Sequence, residues 1–298
     1  MLDVIIVGAG PAGLSAALVL GRCRRRVLIC DAGHPRNAAS HALHCFLTRD
    51  GIEPAEFLRI ARDELGAYET IELRQTEVTD ARSLAGGFEV TLSTGERISS
   101  RKLLLATGVV DDLPKIEGFA EFYGRSVFHC PYCDGWEKRD QPIAIYGRGE
   151  NGLGLSLELL LWSRDLVLLT DGPAELSSPE LERLADHAIK LREDPIERLE
   201  GNNGNLERIV FANGESLARS AMFFSASQRQ TSNLAERLGC KFTEQGCVDT
   251  GAYETTNVPG VYVAGDSSRL VQFVIVAAAE GAQAAVAINK ELMREDLD

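Results

Sequence analysis

The chain has 298 residues, of which 45% are hydrophobic and 25% charged, and it carries a net charge of −13. That length accommodates two domains with separate cores, and the acidic balance excludes nucleic acid and anionic membrane surfaces as electrostatic partners. No apolar run reaches the ~18 residues of a bilayer span; the longest, Leu153 to Trp162, contains Glu158.

Met1 leads straight into an apolar strand without a basic leader or cleavage site, so no secretory signal is expected. Seven cysteines, an odd number without a regular framework, argue against a secreted disulfide scaffold and for a reducing cytoplasm. Asp3 to Val7 reads as a strand. Gly8-Ala9-Gly10-Pro11-Ala12-Gly13 follows, then Leu14 to Leu20 at helical spacing, then a strand from Val27 to Cys30 ending in Asp31. This is a dinucleotide-binding unit: Gly8 permits the tight turn, Gly10 lets backbone approach a pyrophosphate, and Gly13 lets helix pack on strand. Asp31 stands where a carboxylate can accept a hydrogen bond from a ribose hydroxyl. The basic run at Arg22 and Arg24 to Arg26 reads as a structural helix end.

Residues 33 to 50 are loop-like, and the histidines there, including His41 and His44, are expected to be solvated. A helix is expected from Pro54 to Leu65, with short strands at Ile71 to Leu73, Phe88 to Leu92 and Ile98. Lys102 to Val109 is an apolar strand ending in Ala106-Thr107-Gly108, which brings backbone close to something at its carboxyl end. A domain crossover is expected near residues 112 to 116.

His129-Cys130-Pro131-Tyr132-Cys133-Asp134-Gly135-Trp136 holds two cysteines at the spacing of a small redox disulfide, with a carboxylate directly after the second. At the start of a helix such a pair carries a thiolate whose pKa the helix terminus lowers, and Asp134 can pass a proton to or from sulfur. Half a zinc site or two inert thiols are the alternatives, but zinc needs a second pair at similar spacing, and Cys240 and Cys247 do not provide it. Cys23, Cys30, Cys45, Cys240 and Cys247 are read as small buried or surface thiols.

Pro142 to Tyr146 then repeats the opening pattern: strand, Gly147-Arg148-Gly149-Glu150-Asn151-Gly152, an apolar helix to Trp162, and a strand from Leu166 to Thr170 ending in Asp171. Two such units imply two nucleotide-binding folds. Nothing basic follows the second strand, and a 2′-phosphate wants an arginine there. Further strands are expected at Ile189 to Ile196, Leu206 to Phe211 and Ala221 to Phe224, with a return crossover near Gln228 to Asn233. Gly260 to Ala264 is a short strand, followed by Gly265-Asp266 and a helix from about Gln272 to Leu292. From spacing alone, Asp266 is either a helix cap or a contact for a ribose or ribityl hydroxyl.

The order of these motifs, from Gly8-x-Gly10-x-x-Gly13 through Ala106-Thr107-Gly108, Cys130-Pro-Tyr-Cys133-Asp134-Gly135 and the second glycine turn to Ala264-Gly265-Asp266, resembles the low-molecular-weight thioredoxin reductases over nearly the whole chain. The resemblance implies an α/β fold of two Rossmann-like domains, the second inserted into the first. Residues 1–113 and 228–298 would form an FAD domain, and 114–227 a pyridine-nucleotide-type domain carrying the dithiol. Gly8, Gly10, Pro11, Ala12, Gly13 and Asp31 would hold the adenosine half of FAD; Ala106, Thr107, Gly108, Gly265 and Asp266 would line its middle, and Gln272, Phe273 and Val274 would sit near the isoalloxazine. Cys133 would take electrons from the flavin, Cys130 would attack the partner disulfide, and Asp134 would move the proton. The implied partner is thioredoxin or a thioredoxin-like protein, and members are homodimers.

The family's NADPH domain carries a His-Arg-Arg run after its second strand. Here that place reads Leu169-Thr170-Asp171-Gly172, and Ala226 replaces a glycine near the return crossover. The resemblance therefore leaves NADPH and NADH both open, with ferredoxin as a further donor in the wider group. Two other activities remain at this level: a flavin-dependent oxidase of small dithiols that passes electrons to oxygen, and a flavoprotein redox sensor without turnover. Such oxidases are expected to carry His after the second cysteine, so Asp134 favours the reductase.

Overall fold

The computed structural model describes residues 1–298. The chain divides into two units: Met1–Ala38, Cys45–Val110 and Gln228–Asp298 form the first, and Ala39–His44 and Asp111–Ser227 the second. The six residues from Ala39 to His44 are thus drawn out of the amino-terminal stretch to pack with the second unit.

The first unit is built on a seven-stranded sheet in the order Ile71–Gln75, Val27–Asp31, Leu2–Val7, Arg97–Leu105, Gly87–Leu92, Val78–Leu84, with Val261–Val263 also paired to Arg97–Leu105. Arg97–Leu105 is one continuous strand where the sequence pattern shows two pieces. Its start runs antiparallel to Gly87–Leu92, and its end runs parallel to Leu2–Val7 and Val261–Val263. Both faces of the parallel part are covered, so its strands are continuously apolar rather than alternating. Val4, Ile6, Val27, Ile29 and Leu104 face one core, and Ile5, Val7, Leu28, Leu103 and Leu105 the other.

The register positions the chemistry. Val7 pairs with Leu105, and Leu105 pairs with Val263. The residues that follow these three strand ends therefore emerge along one sheet edge: Gly8 to Gly13, Ala106 to Gly108, and Ala264 to Asp266. Gly8 sits at φ +108°, and a Cβ there would lie 2.2 Å from the Ala106 carbonyl oxygen, so the turn requires glycine.

Two helices cover the first core. Pro11–Arg22 has Pro at its first turn, where the missing N–H costs nothing. The last helix is Val274–Leu297; it starts two residues later and ends five later than its sequence pattern indicates. Small residues let the two approach: a Cβ on Gly281 would sit 1.9 Å from the Ala12 carbonyl oxygen. The basic run after the first helix is tied to the last helix, Arg25 donating to Asn289 at 2.8 Å and to Asp296 at 2.6 Å.

The second unit holds a five-stranded parallel sheet in the order Lys190–Arg192, Leu166–Leu169, Ile143–Tyr146, Ala221–Phe224, Val127–Phe128. The helix Gly149–Leu159 covers one face over Ile143, Ile145, Leu166 and Leu168, and an antiparallel sheet of Ile196–Asn202, Asn205–Phe211 and Ser216–Ala218 covers the other. The α/β class with two nucleotide-binding folds is as expected. The expected strand from Ile189 to Ile196 is instead two, because the chain turns between Arg192 and Ile196 and the second joins the antiparallel sheet. A helix at Ser178–Asp186 begins with a capping box in which Ser177 and Glu180 satisfy each other's ends. No helix is long and apolar enough to cross a membrane.

Candidate active site

Cys130 and Cys133 form a disulfide with Cα atoms 5.3 Å apart. The strand Val127–Phe128 delivers the chain to Cys130, which caps a single helical turn, Pro131–Asp134. Pro131 suits the first position of that turn, and the Cys133 backbone N–H donates to the Cys130 sulfur at 3.2 Å. This one N–H thus points at sulfur, where it favours a thiolate. Tyr132 and Trp136 flank the pair and are 56% and 63% exposed.

Asp134 follows directly. Burial pushes its carboxyl up to about 7 from an ordinary value of 3.8; a charge on His44 opposes this most, Glu137 reinforces it, and Lys138 opposes it more weakly. A carboxyl held near neutrality can both give and take a proton at physiological pH. His44 is not solvated as its loop setting indicates. Its side chain is 16% exposed, and its Nε2 lies 3.7 Å from Glu137 Oε1. Nothing in the sequence separates it from the exposed His41 beside it, because the approach of residues 39–44 to this unit is a long-range feature.

In the first unit, the three motifs at the sheet edge are joined by side chains. Thr107 Oγ1 lies 3.3 Å from Ser267 Oγ, and Ser267 donates to the Gly108 carbonyl at 3.2 Å. Asp266 does not cap the last helix, whose cap is Phe273 seven residues on. Asp266 instead pairs with Arg36, Nη1 to Oδ2 at 2.9 Å, and the same Nη1 donates to Gln272 Oε1 at 2.6 Å. Arg36 is the residue that sequence reasoning passed over: a lone arginine in a polar loop carries no signal until the loop is placed. Gln272 also donates to Gln228 at 2.8 Å. Asp31 accepts from the Gly33 N–H at 3.1 Å and pairs with Arg62 at 2.6 Å. Behind the Gly265 turn, Glu280 accepts the Gly265 N–H at 2.8 Å and pairs with Arg269 at 2.7 Å, and Arg269 also pairs with Glu254 at 2.7 Å.

The second glycine turn is engaged with its own unit. Arg148 donates from Nε to the Thr170 carbonyl at 2.6 Å and from Nη2 to the Asp171 carbonyl. The Asp171 carboxylate accepts the Ile196 N–H at 2.7 Å and faces the Tyr146 hydroxyl at 3.5 Å. The remaining cysteines stand apart: Cys30, Cys240 and Cys247 are buried, with burial pushing the Cys30 thiol up to about 11, and Cys23 and Cys45 are exposed.

Residues 2–281 match the family model for pyridine nucleotide-disulphide oxidoreductases. The chain belongs to this family. A thioredoxin reductase of Claviceps purpurea is 30% identical over 99% of this chain and 95% of its own, and one of Leptosphaeria maculans is 30% identical over 100% and 96%. The crystal structure of an oxidoreductase from Agrobacterium tumefaciens superposes with a TM-score of 0.91 at 34% identity, covering 98% of each chain. The protein is an FAD-dependent disulfide oxidoreductase of the thioredoxin-reductase type.

The first unit of this oxidoreductase fits FAD on its own geometry. Space over Gly10 is open, with nothing within 4 Å of where a Cβ would stand, and the first helix has no side-chain cap on its amino end. An uncapped helix terminus beside open glycine backbone is the environment a pyrophosphate needs.

Proposed function

We propose that the Cys130–Cys133 pair is the redox centre through which this oxidoreductase reduces the disulfide of a thioredoxin-like protein, with Asp134 as its acid and base. The observation that carries this reading is a redox-spaced disulfide at a helix start, followed directly by a carboxyl that burial pushes up to about 7. Gly8, Gly10, Gly13, Asp31, Gly265 and Asp266 would hold FAD in the first unit, where it would supply a two-electron reductant for the pair.

Once reduced, the Cys130 thiolate attacks one sulfur of the partner disulfide. A mixed disulfide forms, and the other partner sulfur leaves and takes the Asp134 proton. Cys133 then attacks Cys130, restores the Cys130–Cys133 bond and releases the second partner sulfur, which also needs a proton. Exposed Tyr132 and Trp136 beside the pair favour a protein partner, since such aromatics anchor interfaces. We take the working form to be a homodimer in a reducing cytoplasm.

For the donor, NADH is favoured over NADPH. Asp171 stands where a 2′-phosphate would bind and repels it, and Arg148, the one nearby cation in the turn, is held by the Thr170 and Asp171 carbonyls. Anaerobic mixing with each nucleotide tests this: faster flavin bleaching by NADH is expected, and faster bleaching by NADPH would overturn it. Bleaching by neither, but by reduced ferredoxin, would also overturn it and move the donor to a protein. The reductase reading is tested by Cys130→Ser and Cys133→Ser, each expected to keep the flavin and lose reduction of thioredoxin; retention of full activity in either refutes it.

A further inference from the structure

Exchange of a dithiol with a disulfide delivers two protons, one to each departing sulfur, whereas Asp134 holds one. The proton must be replaced between the first bond broken and the second. Around Asp134 the structure assembles three further ionisable groups from two separate stretches of chain: His44 from residues 39–44, and Glu137 and Lys138 from the turn Trp136–Lys138. His44 Nε2 is 3.7 Å from Glu137 Oε1, and Glu137 Oε2 is buried without a hydrogen-bond partner. Lys138 is turned against the Phe128 ring, 5.7 Å from its centroid. A buried carboxylate oxygen left unpaired is costly, and an imidazolium beside it offsets that cost. An imidazole is also the side chain that gains and loses protons between pH 5 and 8.

We propose that His44 and Glu137 are positioning residues for the dithiol chemistry: Glu137 holds His44 in place, and His44 returns a proton to Asp134 between the two exchange steps. This rests on the reductase reading above, and extends it with a pair that lies outside the Cys-x-x-Cys-Asp motif.

In the first step the Cys130 sulfur bonds to one partner sulfur, the partner disulfide breaks, and the departing thiolate takes the Asp134 proton. His44 then passes its own proton to the Asp134 carboxylate and becomes neutral. In the second step Cys133 bonds to Cys130, the mixed disulfide breaks, and the second partner thiolate takes the renewed Asp134 proton. Protons carried by the reduced cysteines return through the same groups, so no external oxidant or reductant enters.

The charges facing Asp134 make the pair testable with opposite signs. His44 draws the Asp134 carboxyl down and Glu137 draws it up. Removing the first should therefore raise the Asp134 titration, and removing the second should lower it.

The experiment uses the reduced holoprotein, with its flavin spectrum as the check on folding, and two disulfide probes. Hydroxyethyl disulfide releases an aliphatic thiolate that must be protonated, whereas 5,5′-dithiobis(2-nitrobenzoate) releases a stable aromatic thiolate that need not be. His44→Gln is expected to slow exchange with the first about tenfold, a modest share of a general acid's usual effect, and to leave the second within about twofold. Glu137→Gln is expected to shift the pH profile of the first reaction to lower pH, and His44→Gln to shift it to higher pH. Equal slowing with both probes, or no slowing with either, overturns the proposal, as do shifts of the same sign. If wild-type protein exchanges with neither probe, the reductase reading itself fails, and the two failures are thereby distinct.

Discussion

Arg36 pairs with Asp266 across 230 positions of sequence, Nη1 to Oδ2 at 2.9 Å, and the same nitrogen reaches Gln272 at 2.6 Å. One guanidinium thus ties the turn after the last strand to Gln272, two residues before the last helix, and the Arg36–Asp266 pair is mostly shielded, the two side chains being 16% and 21% exposed. The stretch from Gly265 to Val274, proposed to hold FAD, is therefore tied to a loop remote in sequence.

Replacing Arg36 by Leu leaves the Asp266 carboxylate without this partner. An uncompensated, partly buried polar group costs about 1–3 kcal/mol, which is roughly 5- to 150-fold in affinity if it falls on the bound state. The dissociation constant of FAD from the Arg36→Leu apoprotein should rise within that range. An unchanged constant would show that the turn holds its shape by backbone alone.

Asp134 should set the pH dependence of disulfide exchange. Its carboxyl is pushed up to about 7, mainly by burial, so it is a proton donor below that value and a carboxylate above it. The rate of partner protonation should fall as pH rises through about 7, and Asp134→Asn should remove that inflection and slow exchange with an aliphatic disulfide by ~10²-fold or more. A retained inflection near 7 in the Asn variant would assign it to another group.

Glu280 makes the first unit sensitive to pH in a defined direction. Burial, and secondarily the neighbouring Glu254, push its carboxyl up to about 7 from 4.5, against the Gly265 N–H and Arg269. A raised pKa means that the folded state prefers the protonated form. The stability it contributes is complete below about 4.5 and is lost as pH rises through about 7. Glu254 is shifted in the same direction by the same cause. In thermal melts between pH 5 and 8, Glu280→Gln should flatten the decline of the melting temperature with pH. A decline as steep as in the wild type would place it elsewhere.

Much of the nucleotide-binding architecture was legible because it depends on short-range signals. Gly8 and Gly13 announce a turn with no room for a Cβ, Gly10 leaves its backbone open, and strands buried on both faces announce themselves by unbroken apolar runs. The capping box from Ser177 to Glu180 is an equally local signal for the helix Ser178–Asp186. What stayed hidden depends on placement. Arg36 and His44 both lie in a polar loop whose residues look alike in sequence, yet one goes to the first unit and the other to the second. The Glu280–Arg269–Glu254 cluster is invisible for the same reason, since its members come together only when the last helix folds back on the Gly265 turn.

The proposed reductase function requires electrons to cross from flavin to the Cys130–Cys133 disulfide and to leave through a thioredoxin-like partner. Anaerobic titration of the holoprotein with dithionite, followed by oxidised thioredoxin, measures both transfers at once. The wild type should take up one electron pair for the flavin and a second for the disulfide, and return electrons to thioredoxin, whereas Cys130→Ser should take up only the flavin's pair and return none. Equal uptake in the two proteins, or a fully reduced wild type that leaves thioredoxin oxidised, would contradict it.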